Sequence, residues 1–170
     1  MFVKFAIRDS SIIAVAILFW WLAADLSSGA GPISDLTGLI GGVLFTLGAY
    51  FLHEWGHLLG ALATNSAVEP GQSLRSGFLF NFSAEKNTLR QFLVMSFSGF
   101  FATGVVAWFA YAVLPDQYLA TRVARGAVVF LGSLTVLLEF PLVVWGLLRG
   151  GVPPPVAVRP EPKIVAESVA

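Results

Sequence analysis

Apolar positions run unbroken through four stretches, Ser10 to Leu26, Thr37 to Thr64, Leu89 to Leu114 and Val123 to Leu148. Each is near or above the about 20 helical residues needed to cross a hydrocarbon core. A Gly/Ser/Pro loop holding Asp35 joins the first pair, and a tight turn at Pro115–Asp116–Gln117 joins the last pair. The interval from Asn65 to Thr88 is too short for an inserted folded domain. Within it Phe78, Phe80 and Phe82 alternate with Leu79 and Asn81, which is the period of a strand. A two-stranded or re-entrant element is expected there, packed on the membrane surface or offering an edge to an extended peptide. Beyond Gly150, the prolines 153–155, 160 and 162 predict an extended or disordered cytoplasmic tail.

The pattern thus predicts an all-α membrane protein of about four transmembrane helices with a short strand-like loop. Its expected parts are an N-terminal helix and outer loop (1–36), a three-helix core (37–149) and a Pro-rich tail (150–170).

Composition supports the membrane class. The 170 residues are 56% hydrophobic and only 12% charged, with mean hydropathy +0.80, whereas soluble domains carry about a quarter charged residues. Net charge is zero, which gives no footing for a nucleic-acid partner. The expected partners are the lipid bilayer and other membrane proteins, as substrate or as subunits of a complex. Cysteine is absent, so disulfides and thiolate metal ligands are excluded. Lys4 and Arg8, the apolar run Ile12–Ala24 and the small residues Ser27–Ser28–Gly29–Ala30 also fit a cleaved signal peptide; a retained helix is the reading adopted. Lys4, Arg8, Arg75, Lys86, Arg90, Arg149, Arg159 and Lys163 fall on one side, and only Arg122 and Arg125 on the other. The positive-inside rule then predicts that both termini are cytoplasmic.

Most acidic residues, Asp9 among them, are placed by the pattern in loops, helix ends or tails. Only Glu54 and Glu139 fall well inside the spans, together with both histidines of the chain, His53 and His57. An ionisable group at mid-membrane costs about 2.5–3.5 kcal/mol on insertion scales, so it usually has a partner and a task. His53 and His57 are four residues apart, which puts both imidazoles on one helical face, as chelation of one metal ion from one helix requires. Glu54, in the pattern His-Glu-x-x-His, is placed to take a proton from a water at the metal. A catalytic zinc site usually has three protein ligands. Glu139 lies 16 residues beyond Val123, as His53 lies 16 beyond Thr37, so both sit about 24 Å along spans of the same direction. Glu139 is therefore the expected third ligand, with Pro141 loosening the helix beside it; the competing role is a protonated carboxyl bonded to a neighbouring helix. Gly56 and Gly60 on the second span permit close helix approach, and Ser96, Ser98, Gly99, Ala102 and Gly104 on the third read as a packing face.

The run Phe51–Leu52–His53–Glu54–Trp55–Gly56–His57 inside an apolar span resembles the site-2-protease family of intramembrane zinc metalloproteases. The resemblance covers roughly residues 37–148 and implies a core formed by the second to fourth spans, with a cytoplasm-proximal zinc site. The family's last ligand is usually an aspartate followed by glycine; here the stretch reads Leu138–Glu139–Phe140–Pro141–Leu142. Its middle helix usually carries Gly-Pro-x-x-Asn, where this chain has Gly99–Phe100–Phe101–Ala102–Thr103 and no room for a PDZ-type domain. The expected function is an intramembrane zinc metallopeptidase cutting a substrate's transmembrane segment. The alternative is a non-catalytic metal-binding or degenerate subunit of a membrane complex. A haem protein is disfavoured, because both histidines share one face of one helix.

Overall fold

Helices dominate because the apolar runs have no internal breaker until Pro141 and, in a bilayer, helices satisfy their own backbone polar groups. The computed structural model describes residues 1–26 and 31–154. The candidate cleavage site at Ser27–Ala30 and the tail beyond Pro154 lie outside the described residues. In chain order the elements are α1 (Phe2–Leu26), α2 (Pro32–Ala63), β1 (Val68–Pro70), β2 (Phe80–Phe82), α3 (Leu89–Ala112), α4 (Leu119–Leu138) and α5 (Phe140–Arg149).

Among the described residues, three helical stretches are long and apolar enough to span a membrane: α2, α3, and α4 with α5 as one run, Leu119–Arg149. The first expected span also forms a helix. It begins well before Ser10, however, and includes Lys4, Arg8 and Asp9. Asp9 is no helix-end residue but sits inside α1, 2% exposed. Outward faces are strongly apolar, with Trp21, Phe101 and Leu148 each more than seven-tenths exposed. A surface of that kind suits lipid and not water.

Contacts at small residues fix the directions. Gly41 lies on the backbone of Phe19 and Trp20, and Gly48 on Ile13, while Trp55 reaches Asp9, so α1 and α2 are antiparallel. Gly56 lies on Ser98, Gly99 and Ala102, and Gly60 on Val94 and Ser98, so α3 is antiparallel to α2. Gly38 meets Leu119, and Gly42 meets Val123, so α2 and α4 run in the same direction. A Cβ at Gly56 would stand 2.7 Å from the Ser98 carbonyl oxygen, so only glycine allows α2 and α3 this approach. The expected packing face on α3 is found at Ser98, Gly99 and Ala102, but Gly104 has no neighbour within 4 Å. Ala49, Val106, Ala110 and Val128 form the core between α2, α3 and α4.

The connection between α2 and α3 contains the expected two-stranded sheet. β1 and β2 pair antiparallel, with Val68 opposite Phe82, Glu69 opposite Asn81 and Pro70 opposite Phe80. The strand begins at Phe80, so Phe78 and Leu79 belong to the loop before it. Asn87 ties the base of this hairpin to Ala67 and Ser83. Thr88 and Gln91 form a capping box that starts α3, and Gln91 also donates to the carbonyls of Thr64 and Asn65, just past the end of α2.

Candidate metal centre

His53 and His57 face α3 and α4 because their spacing puts them on one side of α2. The Gly99 carbonyl oxygen receives His53 Nδ1 at 3.1 Å, with Thr103 Oγ1 at 2.8 Å from the same nitrogen. The Met95 carbonyl oxygen receives His57 Nδ1 at 3.0 Å. A carbonyl oxygen only accepts, so each ring carries its proton on Nδ1 and keeps a lone pair on Nε2. Room for the His57 ring exists because residue 99 is glycine: a Cβ there would stand 2.5 Å from both ring nitrogens.

Glu139 comes from the junction of α4 and α5. Pro141 has no N–H to continue the helical ladder, and the chain passes from one helix to the next at Glu139. Its carboxylate oxygens lie 3.0 Å from His53 Nε2 and 3.1 Å from His57 Nε2. The two Nε2 atoms are 2.9 Å apart. Glu139 does not reach the histidines by running level with α2. Gly42 meets Val123, so α4 takes about 24 Å from that contact to Glu139, whereas α2 takes only about 16 Å to His53. The two axes are therefore crossed, and a cavity of ≈ 220 Å³ opens between them, lined by Val106, Leu131, Leu134 and Leu138 together with His53 and Glu139.

Two imidazole lone pairs and a carboxylate thus converge with their other ring nitrogens already committed. Left alone, three such acceptors repel; a second proton on one ring, or a cation among all three, relieves the repulsion. The group His53, His57 and Glu139 is one that could hold a metal ion. Its donors are nitrogen and oxygen, the set suited to zinc, and separations of 2.9–3.1 Å approach the edge of about 3.3 Å expected for tetrahedral bonds of 2.0–2.1 Å. The Nδ1 hydrogen bonds to backbone carbonyls are the outer contacts that normally orient ligating histidines.

Glu54 stands apart from these donors. It is buried and lines the same cavity, and its Oε2 accepts the Leu79 N–H at 3.4 Å. One turn earlier, Tyr50 donates its hydroxyl to the Gly77 carbonyl at 2.9 Å. Phe78, between these two anchored loop residues, also lines the cavity. Sequence reasoning brought forward His53, Glu54, His57 and Glu139 but not Tyr50, Met95 or Thr103. The carbonyl of Met95 has no signature in its side chain; Thr103, one helical turn after Gly99, was the available signal.

The chain matches no protein-family model, no curated protein and no solved structure.

Proposed function

We propose that this protein is an intramembrane zinc metallopeptidase, similar in plan to the site-2 proteases, that hydrolyses a peptide bond in or near a substrate's transmembrane segment. The observation that carries the reading is the convergence of His53, His57 and Glu139 on a cavity that Glu54 also lines, between helices apolar enough to span a membrane. In this reading α1 is a fourth span and both termini are cytoplasmic.

His53 and His57, as neutral imidazoles, and Glu139, as a carboxylate, hold the zinc ion. Bound there, zinc supplies Lewis acidity that polarises a peptide carbonyl and lowers the pKa of water to about 7. Glu54 takes the proton of the attacking water and returns it to the departing amine, the usual task of a positioned carboxylate. Leu131, Leu134 and Leu138 give the cavity an apolar wall that accepts side chains of a membrane segment and keeps bulk water away. The unwound segment lies extended, with the short β2 strand as the edge available for it to pair with.

A second reading, a non-catalytic subunit of a membrane complex, is favoured by one feature. The Glu54 carboxylate is engaged by the Leu79 N–H and Phe78 stands at the cavity. Glu54→Gln separates the two. Purified protein and a single-span reporter with helix-breaking residues in its span are placed together in vesicles, and fragments and bound zinc are measured. The peptidase reading expects fragments from the native chain only, with zinc retained in the variant. Cleavage by Glu54→Gln at the native rate refutes the mechanism, and zinc without cleavage in either protein favours the subunit.

A further inference from the structure

We propose that α1 is a latch on the loop covering the site and that Arg8 is its positioning residue. The bearing on catalysis rests on the metallopeptidase reading; the latch itself needs no metal. The Arg8 guanidinium donates from Nη1 to the carbonyls of Leu74 and Ser76 at 2.5 and 3.2 Å. Its Nε donates to Asp9 Oδ1 at 2.6 Å, and the other Asp9 oxygen accepts the Trp55 indole N–H at 2.9 Å. The guanidinium also lies 4.9 Å from the ring centroids of both Phe5 and Phe51. The guanidinium is thus held through Nη1, Nε and two aromatic rings, while its Nη2 is buried with no hydrogen-bond partner among the described residues. Beneath the loop's start, fully buried Phe5 leaves so little space that a Cβ on Gly71 would stand 3.2 Å from its ring and 2.8 Å from the Phe78 carbonyl oxygen.

Along the loop the anchors follow in order: Phe5 under Gly71, Arg8 at Leu74 and Ser76, Tyr50 at Gly77 and Glu54 at Leu79. The first two belong to α1 and the last two to the site's own helix. Phe78 lies inside this clasp and lines the cavity, so a peptide entering there has to move it against all four anchors. Of these, Arg8 alone combines charge-assisted bonds to two loop carbonyls with an ion pair that is itself tied to α2 through Trp55. It sets how readily the loop lifts and how the Leu79 N–H is presented to Glu54.

The test is amide hydrogen exchange, by mass spectrometry, of the full chain in detergent, reading peptides that cover Gly71–Phe82. Arg8→Gln is compared with the native chain and with Arg125→Gln, which loses a similar arginine-to-carbonyl cluster at the opposite end of α3. The latch predicts exchange at Gly71 and Leu79 at least about tenfold faster in Arg8→Gln, with helix content and core exchange unchanged, native exchange in Arg125→Gln, and partial recovery in Arg8→Lys. Native exchange in Arg8→Gln, or equal acceleration in Arg125→Gln, overturns it. Should Arg8→Gln not fold, Arg8→Lys carries the comparison: its donors cannot span two carbonyls and Asp9 together, and native exchange in it counts against the latch. No metal enters this readout, so its failure and failure of the metallopeptidase reading are distinguishable.

Discussion

Substituting Gly99 by alanine strikes the candidate metal centre without replacing any of its three donor residues. The added Cβ falls against the His57 ring, 2.2 Å from Cε1 and 2.5 Å from both nitrogens, where ordinary contact begins near 3.4 Å. The ring therefore has to recede by about 1 Å, against a tolerance of about 0.2 Å for metal–ligand distances. It cannot recede freely, because its Nδ1 is bonded to the Met95 carbonyl. Zinc affinity is expected to fall at least about 100-fold, the upper range for disturbing a ligand's outer contacts, or about 2.7 kcal/mol. Overpacking adds about 1–3 kcal/mol of destabilisation. Gly104→Ala is the matched control on the same helix, because nothing lies within 4 Å of that position. It is expected to keep native zinc affinity and to gain up to about 1 kcal/mol in helix propensity. Competition against a chelator of known affinity, in detergent, gives the dissociation constants, and thermal melts give stability. Native zinc affinity in Gly99→Ala refutes the placement of His57 as a ligand.

Thr103→Val removes the hydroxyl beside His53 Nδ1 but leaves the Gly99 carbonyl to hold the tautomer; chelator competition is expected to show about a tenfold weaker zinc site. Glu54→Gln, outside the donor group, is expected to match native zinc affinity within about threefold in the same assay while losing cleavage; weakening as large as that of Gly99→Ala would instead place Glu54 among the ligands.

The pairing of His53 with His57 was legible because helical spacing alone puts them on one face, and membrane burial makes any ionisable group conspicuous. Glu139 was legible for a similar reason, although equal depth along parallel, level helices is not what brings it to the histidines. The observed contact of Gly42 with Val123 shows instead that α4 crosses α2, and Glu139 meets the histidines at the end of a longer path. Asp9 was not legible as buried, since proximity to Arg8 and the chain start resembles a solvated helix end. Its role depends on Trp55, which is 46 residues away and announces nothing about a partner. The loop was half legible: alternation gave the strand, but Phe78 and Leu79 share that alternation while serving the cavity and Glu54. What escaped the sequence was chiefly backbone chemistry, the carbonyls of Met95, Gly99, Leu74 and Ser76, which every residue type carries alike.

The proposed function depends first on His53, His57 and Glu139 together holding one zinc ion. Zinc per chain in protein purified without chelators, native beside Glu139→Ala, tests it most directly. About one zinc per native chain and a clear loss in the variant are expected. Little zinc in the native protein, or equal zinc in both, contradicts it.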